Sequence, residues 1–396
     1  MAKEEFIRVG TTLYKIVEQP RLNGGYVKKR IAWNNETLRQ DYGKDYIGRV
    51  PKYDGFCTVP EHVGYRSVVG KFLNLYEPID HRPQEGDLSH IQSLVRHIFG
   101  EQYELGMDYL QLLYLQPIQK LPILLLVSEE RNTGKSTFLN FLKALFQNNV
   151  TFNTNEDFRS QFNSDWAGKL LIVVDEVLLN RREDSERLKN LSTTLSYKME
   201  AKGKDRDEIA FFAKFVLCSN NEYLPVIIDA GETRYWVRKI DRLQSDDTDF
   251  LQKLKAEIPA FLHFLQRRNL STEKESRMWF APSLLHTEAL RKIIRSNRNR
   301  LEIEIHELIL DIMESVGTDT FSFCPNDILV LLVNTQVKAE KHQVRKVLQE
   351  CWKLTPAPNG LTYTTYQLNY NRECRYEPIR RVGRYYTITR EQLESL

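Results

Sequence analysis

Gly134-Lys135-Ser136-Thr137 sets a lysine and two hydroxyls directly behind a glycine in a chain of 396 residues. Lysine offers a point charge to phosphate, serine offers a hydroxyl to a hard cation, and glycine lets the backbone approach an anion closely. The preceding run, Leu121–Val127, is apolar enough for a buried strand, and Phe138–Phe146 has helical spacing. A strand, a tight turn and a helix in that order aim the first N–H groups of the helix at a phosphate, and the helix dipole favours its charge. Asn132, Thr133, Gly134, Lys135, Ser136 and Thr137 therefore form a candidate cradle for ATP. Lys135 would reach the β- and γ-phosphates, and Ser136 would hold Mg²⁺. The full pattern asks for glycine five residues before Gly134, where this chain has Glu129. That departure leaves the geometry of the turn open.

Other groups supply what a nucleotide cradle alone lacks. Leu170–Val174 is a second apolar run, and it ends in Asp175-Glu176. Two carboxylates at the end of a buried strand are costly without a cation. Beside a bound nucleotide, Asp175 would hold Mg²⁺ through water, and Glu176 would polarise the attacking water. Phe215–Cys218 is a third run and leads into Ser219-Asn220-Asn221. The Asn220 amide can bond both the γ-phosphate and the water without repelling either, although Asn-Asn is also an ordinary turn signal. Lys202-Gly203-Lys204 reads as a positively charged hairpin tip, able to grip a single-strand backbone or simply to face solvent. Arg234 follows a glycine turn and opens another strand, a position from which it could serve a neighbouring subunit's nucleotide. Arg238 is the reserve for that role, and a surface arginine paired with an acid is the plain alternative for either.

These groups need a sheet to position them. Between residues 121 and 242, near-continuous apolar runs alternate with helical or loop segments, the pattern of a parallel sheet covered on both faces. Two helices should precede it between Leu88 and Leu115, on the helical spacing of Ile91, Leu94, Val95 and Ile98 and then of Tyr109, Leu110, Leu113 and Leu115. Phe250 to Leu265 has helical spacing that Pro259 should break or kink. Residues 1–85 are rich in aromatic and β-branched types and predict several short strands, and 78–86 reads as a linker. The expected domains are 1–85, small and β-rich; 86–120, helical; 121–245, the P-loop core; 246–300, a helical extension; and 301–396.

That last stretch predicts helix, strand, helix, turn, helix and a terminal β-ribbon, the order of a winged helix. Its elements are Glu302–Val316, Thr320–Phe323, Pro325 to Val333, Lys341–Trp352, Leu361–Tyr370 and Tyr385–Thr389. Lys341, Arg345 and Lys346 are the cations its second helix offers to DNA; a winged helix used only for packing or assembly is the alternative.

Bulk composition excludes little. A formal charge of +3 is too small to define a partner, but the basic run 291–300 and six arginines after residue 369 are local sites for phosphate or plain solvated faces. Five scattered cysteines without a Cys-x-x-Cys pair argue against a zinc ribbon and a disulfide framework. The apolar runs are too short for a membrane span and there is no signal-peptide core, so a cytoplasmic protein is expected.

The order Gly-Lys-Ser-Thr, Val-Val-Asp-Glu, Lys-Gly-Lys, Ser-Asn-Asn and Glu-Thr-Arg-Tyr-Trp resembles the superfamily 3 helicases of viruses and mobile elements. More narrowly, it is similar to the helicase portion of phage-type primase-helicases, as are Phe72–Pro78 and Leu115-Gln116-Pro117. The resemblance covers roughly residues 70–242. It implies an AAA+ type α/β sheet, a hexameric homo-oligomer, and a lysine-bearing hairpin that moves along single-stranded DNA. By position, Lys135, Ser136, Asp175, Glu176 and Asn220 match the ATP-site motifs, Lys202 and Lys204 the hairpin, and Arg234 the arginine finger. No primase motif is present in 1–85, so priming would come from a separate primase or polymerase. A replicative helicase of a phage or mobile element in a bacterial host is the leading expectation. An ATP-controlled replication initiator is the alternative, and an ATPase with a non-replicative task is a third class.

Overall fold

A computed structural model describes residues 5–20, 26–159, 166, 168–179, 181–199, 207–229, 231–243, 247–297, 300–332, 339–369 and 375–396. These fall in two compact units: 1–227 with 233–291, and 228–232 with 292–396.

The first unit begins with short strands, as expected, and one helix. Strands β1 (Phe6–Val9), β2 (Thr12–Pro20) and β3 (Tyr26–Trp33) are followed by α1 (Asn35–Tyr42), β4 (Lys52–Tyr53), β5 (Gly55–Cys57), β6 (Val68–Val69) and β7 (Phe72–Asn74). They form two sheets, ordered β3-β2-β1-β4 and β5-β7-β6. Asn34 caps α1, its side-chain oxygen accepting from the Glu36 N–H at 2.7 Å. Phe6, Leu13, Leu38 and Val50 make a small separate core.

Helices α2 (Ser89–Phe99) and α3 (Tyr103–Leu115) come next, where their spacing placed them. The part that carries Gly134-Lys135-Ser136 then runs β8 (Ile123–Val127), α4 (Lys135–Phe146), β9 (Val150–Phe152), α5 (Asn155–Arg159), β10 (Leu171–Val174), α6 (Arg182–Thr193), β11 (Ser196–Met199), β12 (Asp207–Ala210), β13 (Lys214–Ser219) and β14 (Tyr235–Lys239). Five of these strands make one all-parallel sheet in the order β14-β8-β13-β10-β9. Its central strands are buried along their whole length, which is why they read as unbroken apolar runs. The chain leaves β8 for the far edge and returns past it to β14. A crevice at the carboxyl ends beside β8 is the consequence.

Helix α7 (Phe250–Arg267) continues through Pro259, so of the expected break or kink the break does not occur. An interior proline costs about 3 kcal/mol. Ile258, Phe261, Leu262 and Leu265 are completely buried in the main core, and each such side chain contributes about 1.5–3 kcal/mol. Burial therefore outweighs the break. Pro259 also serves the preceding segment, its carbonyl accepting from the Gln84 N–H at 3.0 Å, so 78–86 is packed down at this point. The helical extension continues with α8 (Pro282–Leu285) and α9 (Glu288–Ser296).

The second unit contains α10 (Arg300–Val316), β15 (Thr320–Phe323), α11 (Pro325–Leu332), α12 (Lys341–Lys346), β16 (Leu361–Leu368), β17 (Tyr376–Gly383), β18 (Tyr386–Thr389) and α13 (Arg390–Ser395). The expected helix 341–352 changes to π-helical winding at Val347–Cys351. Two elements were not foreseen: β17, antiparallel partner of β16, and α13. β18 pairs back to β15 rather than closing the ribbon. Buried Asp327 ties the ribbon to α11, accepting from the Cys324 N–H, the Tyr363 hydroxyl and the Arg381 guanidinium at 2.6–2.7 Å. No helix of the described residues is long and apolar enough to cross a membrane.

His62, after β5, pins the small β-rich region to the helices. Its Nε2 lies 3.0 Å from the Tyr76 hydroxyl, and its ring stacks on Tyr114 of α3 at 5.7 Å. Burial, with Lys214 adding to it, pushes the imidazole down to about 4 from its usual 6.5. The folded state thus binds fewer protons than the unfolded chain between pH 6.5 and 4. Stability is complete above 6.5 and falls as the pH drops through that window, by on the order of 3 kcal/mol. His62→Phe should flatten that limb of a melting-temperature profile; an unchanged acid limb would remove His62 as its source.

Candidate nucleotide site

Register brings the chemistry to one edge. Val127 of β8 pairs with Ser219 of β13, and Val174 of β10 pairs with Leu217. The residues leaving the three strands therefore emerge side by side: the loop from Ser128, the acids Asp175-Glu176, and Asn220. The Ser128 N–H donates to the Ser219 carbonyl at 3.2 Å, and the Val177 N–H to the Cys218 carbonyl at 2.7 Å, so the loops are stitched together beyond the strands.

The loop 128–134 closes without the missing glycine. Its left-handed positions are Asn132, with φ 55°, and Gly134, with φ 78°; Glu129 is not among them. Asparagine tolerates that conformation better than most residues, and glycine adopts it freely. Position 129 is held instead through its N–H, which donates to the Glu222 carboxylate at 3.2 Å. Glu222 is buried and also pairs with Lys239 at 3.3 Å. Two further contacts fix the turn: the Leu243 N–H donates to the Asn132 carbonyl at 3.0 Å, and His97 Nε2 lies 2.9 Å from the Thr133 carbonyl. A carbonyl only accepts, so Nε2 carries the proton there.

At the start of α4, Lys135 is 6% exposed, and its ammonium reaches the Ser128 carbonyl only at 3.4 Å. Burial pushes its pKa below the ordinary lysine value, while Cys218, Asp175 and Glu222 pull the other way. Ser136 Oγ donates to Asp175 Oδ2 at 2.7 Å. Hydroxyl and carboxylate oxygens at one point are the donor set magnesium takes, the rest of its shell coming from water and phosphate. The described residues hold no cluster of three or more His, Cys, Asp or Glu side chains for a metal. A magnesium carried with a nucleotide needs none.

Glu176 also has positive φ, 62°, and is exposed at the crevice. Asn155 fixes the backbone around it, its amide donating to the Glu176 carbonyl at 3.2 Å and its oxygen accepting from the Leu178 N–H at 2.9 Å. The Asn220 amide points at Glu176 Oε1 from 3.4 Å. Asn221 does the turn's work, its oxygen accepting from the N–H groups of Tyr223 and Leu224 at 2.8 and 2.9 Å. The turn reading of Asn-Asn thus falls on Asn221, which leaves the Asn220 amide at the crevice.

Arg234 stands elsewhere. Its carbonyl accepts from the Ile123 N–H, at the start of β8, while the P-loop begins after the end of that strand. A five-residue strand spans about 16 Å, so Arg234 lies at the opposite edge of the sheet from its own chain's cradle. Arg238 is turned inward, bonded to Glu101 at 2.7 Å and Gln102 at 3.0 Å, which withdraws the reserve candidate. Lys202 and Lys204 lie outside the described residues; the strands flanking them, β11 and β12, pair as an antiparallel hairpin. Lys341, Arg345 and Lys346 are exposed together on α12, with Lys346 4.0 Å from Glu350. Sequence reading missed Glu222, His97 and Asn155. Only Glu222, two residues beyond Asn220, carried a signal that could have been used.

A family model described as a family of unknown function, DUF5906, matches residues 126–238, the span from the P-loop strand to β14. No curated protein matches the sequence. Among solved structures, the C-terminal region of NrS-1 in its apo form aligns over 96% of both chains with a TM-score of 0.66 at 17% identity. A second apo form of that region aligns over 94% of this chain and 95% of its own, with a TM-score of 0.62 at 17% identity. Another structure of that same form gives 0.57 at 19% identity over 87% of this chain and 82% of its own. The chain has the fold of that region. The likeness extends through both units and is not confined to the P-loop sheet.

Two substitutions separate the glycine that the loop uses from the one it lacks. Gly134→Ala forces a side chain into φ 78° and should weaken binding of a fluorescent ATP analogue about tenfold or more. Glu129→Gly should change it by less than about twofold, since Glu129 has no left-handed backbone to relieve. A large gain in affinity for Glu129→Gly would show that the loop is strained there after all.

Proposed function

We propose that this protein is an ATP-dependent, ring-forming DNA helicase that acts in replication of a phage or mobile element. The observation that carries the reading is the pairing of Ser136 with Asp175 and of Asn220 with Glu176 at the carboxyl edge of the sheet. Backbone N–H groups of 132–137 and the Lys135 ammonium would hold the β- and γ-phosphates. Ser136 and Asp175 would hold Mg²⁺, which supplies charge neutralisation on the phosphate oxygens. Glu176 takes the proton of the attacking water as its oxygen bonds to the γ-phosphorus and the bond from that phosphorus to the β,γ-bridging oxygen breaks, ADP leaving, and Asn220 keeps that water in line. Arg234, at the far edge of the sheet, can meet no nucleotide of its own chain and serves a neighbour's, which makes an oligomer part of the reaction. Lys202 and Lys204, in the sequence between β11 and β12, carry the pull on single-stranded DNA.

Lys135→Ala and Glu176→Gln should each lower DNA-stimulated ATP hydrolysis by about a thousandfold. Near-normal turnover by either protein would sink the site. Arg234→Ala should do the same, and mixing it with Lys135→Ala should restore part of the rate in shared sites, a complementation that an arginine acting within its own chain cannot give.

A second reading is favoured by the three cations exposed together on α12. With the second unit as a winged helix-like domain and the main DNA contact, the protein would be an ATP-controlled initiator. Lys341→Ala, Arg345→Ala and Lys346→Ala combined should leave unwinding of a forked substrate within about twofold if the helicase reading holds. Unwinding that demands a particular duplex sequence and fails in this variant would favour the initiator.

A further inference from the structure

We infer that the β2–β3 ribbon and the adjoining side of the P-loop unit form a second binding track for single-stranded nucleic acid. It goes beyond the motor reading, which places the strand on Lys202 and Lys204, and it stands on different residues.

β3 is unusual for a strand next to a core. Its pattern is exposed at Tyr26 and at positions 28–32, with Trp33 alone meeting the packed residues of the small core. Residues along a strand alternate between faces, so the consecutive cations Lys28, Lys29 and Arg30 charge both sides of the ribbon at once. Nothing in packing requires this. Lys28 and Lys29 enter no ion pair among the described residues, and the Arg30 guanidinium lies 6.0 Å above the Phe56 ring.

Each face borders a hollow. One, of about 730 Å³, includes Tyr26, Lys28, Arg30, Tyr65, Lys143 and Lys255 in its walls. The other, of about 530 Å³, includes Lys29, Lys143, Phe152 and Lys169. They share Val27, Lys28, Glu77, Lys143 and Asn148 in their walls and so adjoin as one grooved surface. Six cations line it against two acids, Glu77 and Asp80, with Glu18 opposite Lys28 across the ribbon. Glu77 is already engaged, its carboxylate bonded to the Asn148 amide.

The groove also displays aromatic rings among its charges: Tyr26 is 69% exposed and Phe152 44%. Cations spaced along a groove with accessible rings between them suit a flexible strand, whose phosphates meet the lysines while its bases stack. A duplex keeps its base faces covered and cannot use the rings. Lys143 stands eight residues beyond Lys135 on α4, about 12 Å along that helix, so the track is separate from the nucleotide cradle.

The test is anisotropy of a labelled oligo(dT) of about 20 nucleotides, without nucleotide, so that a failed ATP site cannot mask the result. Combined Lys28→Glu, Lys29→Glu and Arg30→Glu should weaken binding about tenfold or more and reduce the salt slope by about 2. The same three-charge reversal at Lys44, Lys52 and Lys71, exposed residues that line neither hollow, should cost less than about threefold. Tyr26→Ala, which keeps every charge, should weaken oligo(dT) about fivefold and blunt duplex less than twofold. Melting curves confirm folding, and the exposed Tyr26 gives a reading even if the triple variant misfolds. Unchanged affinity and slope in the triple variant overturn the inference. So does equal loss at the control positions, or poly-glutamate displacing oligo(dT) as well as unlabelled oligo(dT) does.

Discussion

Parallel pairing of β8, β13 and β10 is the constraint on which the rest of the molecule depends. In a parallel sheet every strand end of one kind lies at one edge, and register decides which residues become neighbours there. With Val127 opposite Ser219 and Val174 opposite Leu217, a lysine-bearing loop, two acids and an asparagine converge from stretches over 40 residues apart. Shift β10 by one residue and every buried side chain changes face. The apolar runs that hold the register are therefore as necessary to the site as its polar groups. Cys218, buried between Leu217 and Ser219, belongs to that structural set: burial raises its thiol pKa well above the ordinary value and leaves it inert.

The sheet must in turn be covered, and α2, α3, α4 and α7 contribute to one core with it. Asp108 of α3 shows what seating these helices takes. It is fully buried, yet it accepts from Arg268 and from the backbone and hydroxyls of Ser271 and Thr272, so its charge is compensated on every side. The same covering sets the limit on Pro259. A helix whose stripe is wholly inside the core continues through a residue that would end it on a surface.

Legibility followed the range of the interactions. β8, β10, β13 and β14 could be read because full burial writes a continuous apolar run, and α4 because Gly134 and the helical period coincide. Asp175, Glu176 and Asn220 could be read because each follows the end of such a run, and Lys135 and Ser136 because they open α4 behind Gly134. His97 and Asn155 could not, since each acts on a backbone group from another element and a single histidine or asparagine carries no pattern; Glu222 was marked only by its place two residues beyond Asn220. The β17 strand was missed because Pro378 and the adjacent Arg380 and Arg381 disguise a strand whose exposure alternates. Glu129 was weighed as a defect because the glycine rule was applied to the residue type. The backbone angle that makes the rule matter is carried here by Asn132 and Gly134.

The cradle's polar groups meet one another inside the chain with unequal quality, and the inequality has a direction. Ser136 and Asp175 are well bonded at 2.7 Å, in solvent, where exchanging partners costs little. Lys135 is buried, and its contact to the Ser128 carbonyl at 3.4 Å is too long to repay desolvation of an ammonium. Asn220 and Glu176 are likewise 3.4 Å apart. The two contacts that a phosphate and its attacking water would replace are thus the weak ones. The contacts that shape the loop, from Glu222, His97 and Leu243, are shorter and lie behind it. An anion entering such a site gains the lysine's unspent interaction without dismantling the scaffold that presents it. That is what preorganisation for a charged ligand requires.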